Sequence, residues 1–398
     1  MDSKARRLFN ENFSESSYEG MIREINKEFP QKLDFRIAES PVFISGELKT
    51  KLLLAGNDIL DQLLSEKVSK ACEHAVPEKY CFPQTNKKPH FIALDFAITE
   101  GETGKYEPKL IELQGFPSLF AFQHYLSGKY KKHFKIADGF SPFFNRLNGF
   151  SYQEELRKLL KPVAGENTVL LEAYPEKQKT RIDFELSRMY FDIDVVCLSQ
   201  LEIEDQRLVY QRNGEKKTID RIYNRVIFDE TERKFPELKS KIDLLKLAEF
   251  EWVTHPDWYF RISKFALPFL KGQCVPETVF VSQHEKIEFN LNQYVLKPLF
   301  SFGGNGVNLN PTTEDLDNLA APENFILQKK VTYASVIETD KHEKVRTEIR
   351  LLYIWPQALN RPRLITGLAR LSRGEMIGVD HNKGVDWVGG SACFFETN

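Results

Sequence analysis

Between Asn167 and Ser199 the chain reads "NTVLLEAY", then "KQKTRIDFELSRMYF", then "IDVVCLS". These are an apolar run, a stretch with apolar residues at helical spacing, and a second apolar run. Strand, helix, strand with short connections leaves few ways to close: the strands lie parallel and the crossover is right-handed. A parallel α/β unit is therefore expected from about residue 166. Just beyond it, "RLVYQRNGEKKTIDRIYNRV" reads as a hairpin around "NG".

At 398 residues the chain is too long for one typical core, so two or three domains are expected. It is 41% apolar and 28% charged, and 55 basic residues against 57 acidic ones leave a net charge of −2. No overall field favours nucleic acid or an anionic membrane. No run approaches the roughly 18 apolar residues of a membrane span, and "MDSKARRLFNENFSESS" has no apolar signal core, so a cytoplasmic protein is expected. The five cysteines are scattered without CxxC spacing, which argues against a disulfide framework or a zinc knuckle.

Residues 1–88 read as mainly helical, with "LKTKLLLAGNDILDQLLSEKVSKACEHA" as an amphipathic helix. "HFIALDFAIT" and "KLIELQGF" flank "EGETGKYEP" and predict a hairpin. The Phe-rich stretch 116–150 follows; within it "HYLSGKYKKHFK" mixes basic and aromatic residues and reads as a solvated surface. "PELKSKIDLLKLAEFEW" and "WYFRISKFALPFL" read as helices, and the chain from about Thr278 as mostly strands with a short helix near "TTEDLDNLA".

"VLKPLFSFGGNGV", Val295 to Val307, places a lysine at a strand end and three glycines within four residues. It is no P-loop, and its spacing and the strand-like "VNLNP" after it do not fit a dinucleotide-binding turn. What remains is a strand, glycine loop, strand flap. By itself this is a tight hairpin with a surface lysine. As a ligand site, Gly303, Gly304 and Gly306 would let backbone N–H groups approach phosphate oxygens, with Lys297 as a point charge. Alternation in the upstream hairpin sets Asp95 between Ala93 and Ala97 on one face and pairs Glu112 with Gln114 on another. If those strands pair, Asp95, Glu112 and Gln114 can converge as oxygen ligands of the kind Mg²⁺ takes. They are equally the polar faces of an ordinary hairpin.

Taken together these segments resemble the ATP-grasp enzymes. The resemblance implies that Lys264, in "RISKFALPFL", and Lys297 hold ATP phosphates under the Gly303, Gly304, Gly306 loop. Lys271 stands close to Lys264 in sequence. Gln328, Lys329, Lys330 and Val331, in "FILQKKV", would form the hinge against the base. Because the acid strands precede the glycine loop, the order is similar to circularly permuted ATP-grasp proteins, including relatives of glutathionylspermidine synthetase. The family pattern is Glu-x-Asn, and Gln114 stands where Asn is usual. The implied fold is α/β (α+β): a permuted ATP-grasp fold with antiparallel sheets and helices, plus a preATP-grasp-like parallel α/β domain. The implied division is 1–88, a helical region; 89–165, the metal-binding strands and following helix; 166–250, the parallel domain; and 251–398, the nucleotide-binding region.

The implied chemistry is carboxylate–amine ligation through an acylphosphate, with ATP and one or two Mg²⁺ ions as cofactors and small-molecule or peptide carboxylates and amines as partners. A phosphotransferase without ligation and a nucleotide-binding regulator are the alternatives. Phosphoryl transfer needs planar cations near the moving group. Arg370 and Arg350 are the catalytic candidates, with Arg346 nearby; a cross-strand salt bridge is the plain reading of Glu348 and Arg350. Asp380, Asn382 and Lys383, in the polar turn "VDHNKGVDW", are candidate substrate contacts, and His381 among them is assigned no metal.

Overall fold

A computed structural model describes residues 1–83, 86–286, 290–301, 303–374 and 385–397. In chain order the strands are Val42–Ile44 (β1), Phe91–Glu100 (β2), Tyr106–Gln114 (β3), Phe140–Ser141 (β4), Thr168–Glu172 (β5) and Asp194–Cys197 (β6). Then come Glu202–Glu204 (β7), Arg207–Arg212 (β8), Glu215–Thr218 (β9), Arg221–Asn224 (β10), Glu251–Val253 (β11) and Thr278–Phe280 (β12). The last six are Tyr294–Pro298 (β13), Phe325–Lys329 (β14), Ser335–Glu338 (β15), Lys344–Ile354 (β16), Arg363–Ser372 (β17) and Gly389–Glu396 (β18).

Among the described residues, eight strands join in one sheet with the order β1-β18-β17-β16-β2-β3, β15 pairing with β16 and β4 with β18. The expected hairpin is β2–β3, and it docks antiparallel onto β16, so that Asp95 lies opposite both Glu112 and Arg350. A bulge beside Asp95 shifts the β2–β3 register. Alternation then divides the sheet. Helix Gly46–Leu63 lies over Leu351 and Tyr353, while Glu348 and Arg350 take the opposite face.

The parallel unit also forms. Strands β11-β10-β5-β6 run parallel, and helix Arg181–Phe191 makes the crossover from β5 to β6. The β8–β9 hairpin turns at Asn213 and Gly214, both with positive φ, as a two-residue loop of this twist requires. At the end of β10, Arg225 donates to the carbonyls of Phe116 and Pro117. That bond ties the parallel sheet to the turn leaving β3.

The stretch expected as one amphipathic helix is two, Gly46–Leu63 and Glu66–Glu73, and other details also refine the sequence expectation. "AEFEW" leaves its helix, which ends at Leu247, and contributes β11. The helix expected to follow the β2–β3 hairpin is Phe120–His133, in the Phe-rich stretch, and its first backbone N–H groups are capped by Asp183 from another helix. Its basic end is an ion-pair surface rather than freely solvated: Lys129, Lys132 and His133 all meet Glu24, and Lys129 also meets Glu28.

The third sheet, β12-β14-β13, packs on Val281, Leu316 and its own Tyr294, Leu296 and Leu327. Among the described residues no helix is long and apolar enough to cross a membrane.

Edge strand β3 is closed by irregular chain: Leu110 N–H donates to Cys274 O and Gly115 N–H to Ile262 O, both at 2.7 Å. Gly115 permits this approach, since a Cβ there would stand 2.3 Å from the Trp258 carbonyl oxygen and 2.9 Å from the Ile262 Cβ. Gly115→Ala is therefore expected to destabilise the fold by roughly 1–3 kcal/mol, the usual overpacking cost. Chemical denaturation checks it, and an unchanged midpoint would contradict this packing.

Candidate functional site

The segment closing β3 delivers Lys264 to the site. Ser263 accepts from Phe265 N–H and starts the 3-10 turn Lys264–Phe269. The buried Lys264 ammonium then donates to Ser301 O at 2.7 Å and lies 3.7 Å from Glu112 Oε2. From the facing sheet, the β13–β14 register sets Val295 opposite Gln328 and Lys297 opposite Ile326. Lys297 Nζ donates to Gln328 Oε1 at 2.5 Å and to Ile111 O at 3.4 Å.

Between the two sheets is a cavity of about 370 Å³. Of the residues read from the sequence, Lys264, Lys297, Gly303, Gly304, Gln328, Lys329, Lys330, Val331, Glu112 and Arg370 all line it. Val295, Val307 and Leu309 add apolar wall. Two of the lining residues, Gln328 and Arg370, keep a buried donor nitrogen (Nε2 and Nε) without a protein partner among the described residues.

Gly303, Gly304 and Gly306 have φ of 58°, 78° and 74°, the left-handed region that glycine enters without penalty. Gly306 is a packing glycine: it stands outside the cavity wall, and a Cβ there would lie 2.9 Å from Pro298 Cγ. The second strand of the expected flap reduces to a single bridge, Leu296 with Asn308.

The acids are arranged differently from the expected metal cluster. Asp95 is wholly buried, behind the cavity wall. Its Oδ1 accepts from Arg350 Nε at 2.6 Å, and its Oδ2 from Arg350 Nη2 at 2.5 Å and Arg370 Nη2 at 2.8 Å. Burial pushes the Asp95 carboxyl up to about 6 against the pull of Arg350 and Arg370. Gln114 also lies outside this cavity and turns its amide N–H onto Glu112 Oε1. Burial would raise the Glu112 carboxyl, but Lys264, with Arg350, Arg370 and Lys297 behind it, brings it down to about 2.

Arg350, a catalytic candidate from the sequence, is locked on Asp95 and is absent from the cavity wall. The plain salt-bridge reading of Glu348 holds with a different partner: opposite it in register is Arg370, and the two pair. A divalent cation would need free carboxylate oxygens here. Asp95 has none, Glu348 is engaged by Arg370 and by Tyr333 Oη at 3.1 Å, and Glu112 by Gln114 and Lys264. The side chains as arranged do not fit a metal ion.

Lys271 is exposed, its backbone N–H bonded to Gln62, and takes no part in the cavity. Asp380, Asn382 and Lys383 lie outside the described residues. Sequence reasoning missed Tyr333 and Ser301, since neither carries a motif. Tyr333 could have been sought as a polar partner for Glu348.

No family model and no curated protein matches this sequence. Among solved structures, the chain is similar to a glutathione synthetase-like effector, GSS30, from Globodera pallida, determined in its apo form. The TM-score is 0.58 at 10% identity, over 96% of this chain and 97% of that one. At that identity the likeness shows the fold: a mixed α/β architecture like that of glutathione synthetase-like proteins.

Burial lowers the Lys297 ammonium to about 8 from an ordinary 10.5, Glu112 pulling it up and Lys264 pushing it further down. Between those values the unfolded chain holds the proton that the folded chain has lost, so stability rises with pH across the window. The stability of the wild type relative to Lys297→Met is accordingly expected to increase between about pH 8 and pH 10. Paired denaturation curves measure it; a flat or falling difference would place Lys297 in a wetter setting than this.

Proposed function

We propose that this chain is an ATP-dependent carboxylate–amine ligase with a circularly permuted ATP-grasp arrangement. The observation that carries the reading is the convergence on one cavity of two phosphate-seeking lysines, Lys264 and Lys297, the Gly303–Gly304 turn and Arg370. They come from separate parts of the chain, with the acid hairpin written far upstream of the strand it pairs with. The likeness to a glutathione synthetase-like structure over nearly the whole chain supports the same reading at the level of fold.

In this reading Val295, Val307, Leu309 and Val331 offer the apolar surface a base needs, and Gln328 Nε2 an unspent donor. Lys264, Lys297 and the turn take the phosphates. The γ-phosphoryl group passes to a substrate carboxylate oxygen, its bond to the β-phosphate oxygen breaks, and ADP leaves. An amine then attacks the acylphosphate carbonyl, phosphate departs with the C–O bonding pair, and the amine's proton goes to solvent. Arg370 is placed to meet charge on the transferring group, the largest demand of such a step. A nucleotide-binding module without turnover is the second reading. The engagement of Asp95, Glu112 and Glu348 by cations and polar donors favours it.

ADP release on a panel of carboxylate and amine pairs, with mass spectrometry of the joined product, tests the proposal. Lys297→Ala and Arg370→Ala are each expected to lower kcat by about 10²–10³-fold, the range seen when one preorganised donor is removed. ATP binding without ADP release on any pair would favour the second reading. No ATP binding would remove both.

A further inference from the structure

The carboxylates that would ligate a divalent cation are already held by cations of the chain itself. Arg350 Nη2 stands 2.5 Å from Asp95 Oδ2 and 3.7 Å from Glu112 Oε1. Arg370 Nη2 stands 2.8 Å from Asp95 Oδ2 and also pairs with Glu348. Two guanidinium groups thus occupy the space among three carboxylates, which is where an ion bridging those acids would sit. Mg²⁺ demands a near-octahedral oxygen shell at about 2.0–2.1 Å, so seating it on Asp95 requires breaking a buried two-point arginine–carboxylate pair. Removing one partner of such a pair leaves an uncompensated buried charge, a large penalty.

The charge of the cavity points the same way. Six cationic side chains line it (Lys264, Lys297, Lys329, Lys330, Arg346 and Arg370) against two carboxylates, Glu112 and Glu348, a surplus of four positive charges among the described residues. A free nucleoside triphosphate carries about four negative charges at neutral pH, and its magnesium complex about two. The wall therefore matches the uncomplexed anion.

We propose that this site takes its nucleotide as the free, metal-uncomplexed polyphosphate, with Arg350 and Arg370 standing in the place of divalent cations. The inference rests on the nucleotide reading above and deepens it. Arg370 and the lysines supply the neutralisation that a metal would otherwise bring, and Arg350 keeps Asp95 and Glu112 from competing for the phosphates.

Isothermal titration of the full chain with ATP decides it, run once with EDTA and once with excess MgCl₂ at matched ionic strength. The expected dissociation constant with EDTA is equal to or lower than that with Mg²⁺, within about threefold. Tightening by Mg²⁺ beyond about threefold would overturn the inference while leaving the nucleotide reading intact. No binding in either buffer would instead mean that the nucleotide reading has failed and has taken the inference with it. Arg350→Met, which frees Asp95 and Glu112, is expected to weaken ATP binding in EDTA and to create a gain on adding Mg²⁺. If that variant does not fold, the wild-type pair of titrations stands on its own.

Discussion

Everything at the site depends on one buried carboxylate. Asp95 sits on β2, one strand in from the β3 edge of the largest sheet, with no exposure, and Arg350 and Arg370 both bond to it. The bonds run across three neighbouring strands, β2, β16 and β17, so the ion network follows the sheet's own register. A buried pair of this kind is weak evidence for net stability, but loss of either partner is costly, because it leaves the other unpaired in a poor solvent for charge. Its consequence is positional. Arg370 is fixed between Asp95 and Glu348 with one edge still on the cavity.

Around that fixed centre the cavity is assembled from chain segments remote in sequence. The 258–274 stretch lies along β3 because Gly115 lets it come close, and this brings Lys264 to Glu112. The β13–β14 pairing brings Lys297 to Gln328. The glycine turn leaves β13 with backbone angles that side chains would oppose, so its backbone can stand close to a ligand. Each lysine is held by oxygen acceptors of the chain and buried enough to interact strongly with an incoming anion, since screening by water is reduced there. Rigid positioning and concentrated positive charge are what polyphosphate chemistry asks of a protein.

Much of this was legible in the sequence, for physical reasons. Period-two alternation in "FIALDFAIT" gave the face of Asp95, and the strand–helix–strand pattern at 167–199 gave the parallel sheet. Lysine before a glycine cluster gave Lys297, Gly303 and Gly304, whereas Lys264, Gln328, Lys329, Lys330 and Val331 came only through the family resemblance. The partners of the acids were not legible. Alternation tells which face Asp95 takes but not that β16 will dock there, and that docking turned an expected metal ligand into an arginine partner. The helix expected after the hairpin could not be given bounds, because nine residues of Phe120–His133 are buried, on nearly every side, so no polar stripe marks its period. Strand β11 was hidden because it is three residues long and follows a helix directly in pattern. Tyr333 lies between strands, where side chains carry no periodic signal at all.

The most direct measurement is a crystal structure of the protein with a non-hydrolysable ATP analogue. The account predicts phosphate oxygens at about 2.7–3.2 Å from the ammonium groups of Lys264 and Lys297 and from the amides of the Gly303–Gly304 turn, with Asp95 still paired to Arg350. An analogue bound elsewhere, or a cavity left empty at saturating concentration, would contradict it.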